Sequence, residues 1–125
     1  MHHSPASGPQ GPDAYHSLDG RSVIVTGGGQ GIGRCLALAL AERGANVVVT
    51  AARDGSSLDE TVAHSKDLLG TVAPLKADIS SHDDCVRTVE FALSEFGDLQ
   101  CLINNAARGI SYVRETMGGQ AVPFW

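Results

Sequence analysis

The chain has 125 residues, of which 42% are hydrophobic and 18% charged, and its formal net charge at pH 7 is −5. This length accommodates one globular domain, and the acidic balance excludes the basic surface that is typical of nucleic-acid-binding proteins. Because no apolar run approaches the roughly 18 residues of a membrane span, and the N-terminus has neither an apolar signal core nor an Arg-rich amphipathic pattern, we expect a cytoplasmic protein without a nucleic-acid or membrane partner.

Residues 1–17 contain three prolines with several serines and histidines, and they show no hydrophobic periodicity. A segment of this kind buries too little apolar surface to offset the entropy of ordering, so we predict a disordered leader. His2 and His3 have no cysteine or acidic partner beside them, and we predict no metal site.

A strand, a turn and a helix are predicted from residue 22 to about residue 43. The β-branched residues around Ile24 predict a buried strand over residues 22–26, and the turn Gly-Gly-Gly-Gln-Gly-Ile-Gly follows. Glycine lets a pyrophosphate approach backbone N–H groups, because a Cβ atom would collide with it or forbid the required φ. The anion would then lie at the positive end of the helix, which begins near residue 31.

The glycine spacing departs from the usual Gly-x-Gly-x-x-Gly fingerprint, because residue 32 is isoleucine. We take Gly27, Gly31 and Gly33 as the fingerprint of a turn that is one residue longer. A glycine cluster alone is weak evidence, since an ordinary flexible turn has the same composition.

Helix one and the second strand follow this turn. Gly44 is placed to end the helix in the left-handed conformation, and a run of three valines from residue 47 predicts a strand buried on both faces. The inward face of the helix is predicted from its helical spacing to consist of Ile32, Leu36, Ala39 and Leu40.

Helix two is predicted to begin near Leu58, because Ser57 and Glu60 have the spacing of a capping box. Its predicted inward residues are Leu58, Val62 and Leu69. The third strand is predicted over residues 72–77, and Pro74 suits a strand at the edge of a sheet.

Helix three is predicted to begin after a capping Ser80 or Ser81, with Asp83 and Asp84 in the first turn, where the helix dipole favours them. Gly97 ends this helix, and residues 99–103 form the fourth strand. The predicted inward stripe of the helix is Val86, Val89, Leu93 and Phe96.

Cysteine usage favours a reducing compartment. Cys35, Cys85 and Cys101 are widely separated, odd in number and surrounded by apolar residues. This pattern predicts buried, reduced thiols rather than a disulfide framework or a metal site.

The order β-α-β-α-β-α-β predicts an α/β fold, a doubly wound parallel sheet of the Rossmann type with strand order 3-2-1-4. Helices one and two would cover one face, and helix three alone would cover the other. The switch point between strands one and four opens a crevice beside the glycine turn. Because the sheet ends after the fourth strand, apolar residues beside strands one and four should stay exposed.

The end of strand two bears on the choice of cofactor. A dinucleotide site usually has a carboxylate there, which binds the ribose 2′-hydroxyl, but this strand ends in Thr-Ala-Ala before Arg53 and Asp54. A guanidinium can bind a 2′-phosphate that a carboxylate would repel. We therefore favour NADP over NAD, and the alternative is a solvated Arg53 with Asp54 on the ribose.

Polar residues also end strands three and four. Asp78 could accept a hydrogen bond from an adenine amino group or assist the N-terminus of helix three. Asn104 and Asn105 could bind the backbone of neighbouring strands or contact a ligand. Position alone leaves both pairs of alternatives open.

Three of these motifs together resemble the short-chain dehydrogenase/reductase family: Thr-Gly-x-x-x-Gly-x-Gly at 26–33, Asp-Ile at 78–79, and Asn-Asn-Ala-Ala at 104–107. The family has glycine where this chain has Ala107. The resemblance covers residues 18–107 and implies that this part is a half domain binding NAD(P)(H), with Asp78 and Ile79 near the adenine and Asn105 near the adenosine ribose. Around the pyrophosphate and its ribose it implies Gly27, Gly29, Gln30, Gly31, Ile32 and Gly33.

The resemblance also implies hydride transfer between nicotinamide and a carbonyl or alcohol, with a serine and a Tyr-x-x-x-Lys pair as catalytic residues. Tyr15 is followed four residues later by Asp19, and Tyr112 by Thr116. We therefore expect no catalytic residues in this chain, a loop segment over 108–125, and a fragment that is inactive alone. The full-length form would be a homo-oligomer that takes a small-molecule carbonyl or alcohol substrate.

Two other hypotheses remain open. One is a non-catalytic dinucleotide-binding or interaction module. The other is an epimerase or dehydratase on the same fold, since a fold alone does not define a reaction.

Overall fold

The computed structural model describes residues 17–53 and 55–107. The predicted leader up to residue 16, the turn residue Asp54 and the predicted loop over 108–125 lie outside this range. The strands and helices are β1 (Ser22–Thr26), α1 (Gly31–Glu42), β2 (Asn46–Ala51), α2 (Gly55–His64), β3 (Thr71–Lys76), α3 (His82–Phe96) and β4 (Cys101–Ile103).

The four strands form one parallel sheet in the order β3-β2-β1-β4. Val25 of β1 lies opposite Val49 of β2 on one side and Ile103 of β4 on the other. β3 is an edge strand, and its Pro74 pairs with Val49. The predicted α/β fold, strand order and edge position of Pro74 are thus confirmed.

The core lies on both faces of the central strands. Val47 and Val49 of β2 pack with α1 and α2, whereas the intervening Val48 packs with Ile24 of β1 and Ala92 of α3. Successive side chains of a strand point to opposite faces, so a strand covered on both sides needs apolar residues at consecutive positions. This explains the run of valines and confirms the predicted placement of the helices.

The predicted inward face of α1 is largely wrong. The residues buried against the sheet are Gly33, Ala37 and Ala41, whereas Ile32 is 73% exposed and Ala39 is also exposed. Leu36 and Leu40 are half-buried, and Leu40 packs against the core. The three small buried residues are spaced by four, so they lie on one side of the helix and let its axis approach the sheet closely. The larger apolar residues, such as Ile32, therefore lie on other sides of the helix. Gly44 follows the helix with φ +96°, as predicted.

The capping box predicted for α2 is also wrong. The helix begins at Gly55, two residues before Ser57, so that Ser57 lies in its first turn. Leu58 is buried and Val62 packs against the core, as predicted. Leu69 is 83% exposed, because the helix ends at His64 and the residues after it no longer follow the helical period.

Both ends of α3 are as predicted. The N-cap is Ser81, whose hydroxyl accepts a hydrogen bond from the N–H of Asp84 at 3.2 Å, and the C-cap is Gly97 with φ +83°. The predicted stripe is wrong for three of its four members, because α3 buries Thr88 and Ala92 instead. Phe96 packs against the core, but 42–45% of the surface of the remaining members is exposed: Val86, Val89 and Leu93.

The prediction of buried cysteines is wrong, since Cys35, Cys85 and Cys101 are all exposed. Cys35 lies away from the buried face of α1, and Cys101 lies on β4, the outer strand of the sheet that the described residues form. Leu102 beside it is 54% exposed, in agreement with the exposure expected near this strand. No helix within the described residues is long and apolar enough to cross a membrane.

Candidate functional site

The carboxyl ends of the strands open into one cleft of about 1150 Å³. It includes residues from the ends of all four strands, as expected at the switch point of a doubly wound sheet. The predicted site residues that line it are Gly27, Gly29, Gln30, Ile32, Arg53, Asp78, Ile79 and Asn105. The cleft is also lined by residues outside the predicted set: Thr50, Ala51, Ala52, Ser57, Ala77, Ser80, Ala106 and Ala107.

The N-terminus of α1 opens toward this cleft without a side-chain cap. Gln30 is the N-cap in an extended conformation, its side chain makes no capping hydrogen bond, and the first turn of the helix contains no acidic residue. The first N–H groups of a helix have no partner within the helix and carry its positive partial charge. This end of α1 is therefore suited to an anion.

Close packing explains why two of the glycines are required. Gly27 has φ +71°, and a Cβ atom there would lie 3.0 Å from Cα of Ala106. At Gly33 a Cβ atom would lie 2.1 Å from the carbonyl oxygen of Gly27 and 2.6 Å from Nδ2 of Asn105. Gly33 does not itself line the cleft; it lets α1 pack directly against the turn.

Gly31 is required for its conformation rather than for close packing. It has φ +56°, and no atom lies within 4 Å of the position that a Cβ atom would occupy. Like Gly33, it is a predicted site residue that does not line the cleft. Both glycines thus determine the shape of the turn without lining the cleft themselves.

Asn105 fastens β4 to the turn after β1. Its Nδ2 donates to the carbonyl oxygens of Thr26 and Gly27, at 3.1 and 3.2 Å. The hydroxyl of Thr26 accepts hydrogen bonds from the N–H groups of Asn105 and Ala106, each at 3.0 Å. Asn105 therefore binds the backbone of a neighbouring strand, and its contact with a ribose stays a prediction.

The other half of the turn is held by Thr61 of α2 and Arg34 of α1. The hydroxyl of Thr61 donates to the carbonyl oxygen of Gly28 at 2.9 Å, and Nη2 of Arg34 donates to the carbonyl oxygen of Gly29. Arg34 also donates to Oγ1 of Thr61 at 3.0 Å and forms an ion pair with Glu60 at 2.9 Å. No local pattern in the sequence indicates the contacts of Arg34 with Glu60 and Thr61, because these partners lie 26 and 27 residues away from it.

Asp78 lies at the opposite end of the cleft, where the chain enters α3. Its Oδ1 accepts hydrogen bonds from the N–H and the hydroxyl of Ser80, at 2.9 and 2.7 Å. Its own N–H donates to Oδ2 of Asp84 at 2.7 Å. This hydrogen bond, together with one from Arg87, lowers the pKa of Asp84. Asp78 thus takes part in the turn before the helix, and its contact with an adenine stays a prediction.

The end of β2 contributes a cation and a hydroxyl. Arg53 is exposed at the cleft. Thr50 is buried, and within the described residues its Oγ1 has no hydrogen-bond partner. The sequence indicates Arg53, but nothing distinguishes Thr50 from the valines before it. Among the described residues, no group of three or more His, Cys, Asp or Glu side chains could hold a metal ion.

Comparison with known proteins gives consistent matches. The sequence model of a protein family described as short chain dehydrogenase matches residues 21–121 of this chain. Tetrahydroxynaphthalene reductase of Pyricularia oryzae is 39% identical over 99 residues, which cover 79% of this chain and 35% of that protein. L-rhamnose 1-dehydrogenase (NADP(+)) of Thermoplasma acidophilum is 34% identical, over 70% of this chain and 34% of its own length.

Solved structures show the same likeness. The structure of 7α-hydroxysteroid dehydrogenase complexed with NADH and 7-oxo glycochenodeoxycholic acid is 34% identical, with a TM-score of 0.69. That match covers 74% of this chain and 36% of the other. The chain thus spans about a third of the length of these relatives.

Proposed function

The chain belongs to the short-chain dehydrogenase family, and we propose that it binds a nicotinamide dinucleotide with the pyrophosphate at the turn over residues 27–33. The observation that carries this proposal is the N-terminus of α1, which opens to the cleft with neither a side-chain cap nor an acidic residue in its first turn. An anion there would be bound by backbone N–H groups and by the helix dipole.

We propose that the whole protein is an oxidoreductase acting on a carbonyl or alcohol. The dinucleotide would supply the hydride to a carbonyl or accept it from an alcohol, and the protein would bind and orient the dinucleotide. Residues 1–125 contain no Tyr-x-x-x-Lys pair, so we expect these residues to bind the dinucleotide without turnover when they are alone. The three cysteines are exposed, and no disulfide joins them in the described part of the chain. Free thiols are typical of a reducing compartment, which supports the cytoplasm as the location of the protein.

We further propose that NADP is preferred over NAD. Arg53 lines the cleft, and the residues between Thr50 and Arg53 include no carboxylate that would repel a 2′-phosphate. One of the relatives described above carries NADP(+) in its name, whereas the solved hydroxysteroid dehydrogenase is complexed with NADH. These two relatives therefore favour neither dinucleotide, and the proposed preference for NADP rests on Arg53 of this chain.

Calorimetric titration of the 125-residue protein with NADP+ and NAD+ tests both proposals. We expect NADP+ to bind about tenfold more tightly, as one charged hydrogen bond allows. Arg53→Ala should remove this difference and leave the affinity for NAD+ unchanged. Lys66→Ala, at another exposed cation that does not line the cleft, is the matched control.

The two proposals fail in different ways. Tighter binding of NAD+ than of NADP+ would reject the preference for NADP. Absence of heat with either dinucleotide would reject the proposed site.

A further inference from the structure

Every carbonyl group from Thr26 to Gly29 accepts a hydrogen bond from a protein side chain. Asn105 binds the first two, Thr61 binds that of Gly28, and Arg34 binds that of Gly29. Asn105 follows β4, Thr61 belongs to α2 and Arg34 to α1. The turn is therefore held by side chains from three different parts of the fold.

These hydrogen bonds also determine where the N–H groups point. In a trans peptide, the C=O of one residue and the N–H of the next point in opposite directions, and the described residues contain no cis peptide bond. The carbonyls of Gly28 and Gly29 both point toward Thr61 of α2, whose hydroxyl lies 2.9 and 3.4 Å from their oxygens, and Arg34 of α1 donates to the second. The N–H groups of Gly29 and Gln30 are thereby turned away from α2, and both residues line the cleft.

The environment of Arg34 fits a role in orientation rather than in direct contact with an anion. Its side chain is 23% exposed and donates to two backbone carbonyls, those of Gly29 and Ser57, as well as to Thr61. Its carboxylate partner, Glu60, is 68% exposed. Arg34 is not among the residues that line the cleft.

We propose that Arg34 and Thr61 are positioning residues, which keep the N–H groups of Gly29 and Gln30 aimed at the pyrophosphate of the dinucleotide. This inference rests on the proposed function. Neither side chain touches the ligand, and both act through the peptide planes of the turn. Without them these peptides can rotate, and a carbonyl dipole facing a phosphate would oppose binding.

Matched substitutions at Thr61 separate positioning from general packing. Thr61→Val keeps the shape of the side chain and removes the hydroxyl, whereas Thr61→Ser keeps the hydroxyl. We measure the affinities for NADP+, which contains the pyrophosphate, and for adenosine 2′-monophosphate, which lacks it. Thr61→Val should weaken NADP+ binding about tenfold, Thr61→Ser should restore it, and adenosine 2′-monophosphate should bind all variants equally.

Arg34→Met provides a second test, because Arg34 is partly exposed and its replacement is less disruptive than one at the fully buried Thr61. It should weaken NADP+ binding at least as much and again leave adenosine 2′-monophosphate unaffected. Thermal melting of each variant identifies any that do not fold.

The possible outcomes distinguish this inference from the proposed function. Equal losses for both ligands, or unchanged NADP+ binding in Arg34→Met and Thr61→Val, would overturn the positioning role while the dinucleotide site stands. A wild-type protein that binds neither dinucleotide would overturn the proposed function, and the positioning role with it.

Discussion

Gly33 lies where α1 comes closest to the turn after β1. A methyl group there would meet the carbonyl oxygen of Gly27 at 2.1 Å, and backbone atoms cannot move aside as a flexible side chain can. We expect Gly33→Ala to reduce the free energy of unfolding by about 3 kcal/mol, as overpacking does, and to abolish dinucleotide binding. Chemical denaturation and calorimetry measure the two effects.

Gly55→Ala is the control for this substitution. Gly55 is also a helical glycine, but nothing lies within 4 Å of its Cβ position. Alanine should therefore be neutral or slightly stabilising there, by up to about 1 kcal/mol. A Gly33→Ala protein as stable as Gly55→Ala would contradict the close packing of α1 on the turn.

At the scale of single residues, the sequence predicts what depends on local chemistry. The sequence singles out the glycine turn and Arg53, both of which contribute to the cleft, because phosphate binding would need a bare backbone or a cation at a known place after a strand. Arg34 and Thr61 could not be identified in this way. Their contacts with the turn follow from the packing of α1 against α2, which the sequence near either residue does not reveal.

At the scale of elements, the ends of α3 were easier to predict than its buried face, or than that of α1. Ser81 and Gly97 bound α3 as predicted, since capping is a local hydrogen-bond or φ requirement. The buried face of α1 was mispredicted because apolar size was taken as the sign of burial. Close approach to the sheet instead selects small residues, here Gly33, Ala37 and Ala41.

The first turn of α3 predicts a pH dependence. The N–H of Asp78, and then Arg87, bind the carboxylate of Asp84 and hold its pKa below the ordinary value of 3.8. A carboxylate whose pKa is lower in the folded state stabilises the fold above its unfolded pKa, and this contribution is lost as the pH falls through the folded pKa. Asp84→Asn should therefore melt at a lower temperature than the wild type at pH 7.

The difference in melting temperature between Asp84→Asn and the wild type should begin to shrink as the pH falls below about 4, where the carboxylate of the unfolded chain becomes protonated. It should vanish once the pH has fallen through the lower pKa of Asp84 in the folded protein. Asp83→Asn is the control, since Asp83 lies in the same first turn and is exposed. Equal pH dependence of the two variants would show that the hydrogen bonds of Asp84 add nothing beyond the helix dipole.

At the scale of the whole molecule, the two faces of the sheet are unequally covered. Within residues 17–53 and 55–107, α1 and α2 share one face, and α3 is the one helix that packs on the other. Leu102 pairs with Ile24, whose side chain packs on the α3 side, so Leu102 faces that side as well. Together with Val86, Val89 and Leu93 it leaves apolar surface exposed on this side.

Extensive exposed apolar surface is unusual in soluble monomers. We therefore expect the exposed apolar residues on the α3 side to make the 125-residue protein bind a fluorescent dye that reports such surface. Leu102→Ser should reduce this binding and change the stability by no more than about 0.5 kcal/mol. Leu69→Ser, at a leucine that is 83% exposed but lies in the connection after α2, is the control. A cooperative melt without dye binding would contradict this expectation.

The turn after β1 can take its final form only once the hydrogen bonds between Thr26 and Asn105 have formed. They join residues that are 79 apart in the chain, while the neighbouring pairing of β1 with β2 needs only the segment up to Ala51. Contacts between distant residues form late, because a long loop must first be closed. During synthesis, the chain would therefore build the β1-β2 pair first and complete the turn only after Asn105 had emerged from the ribosome.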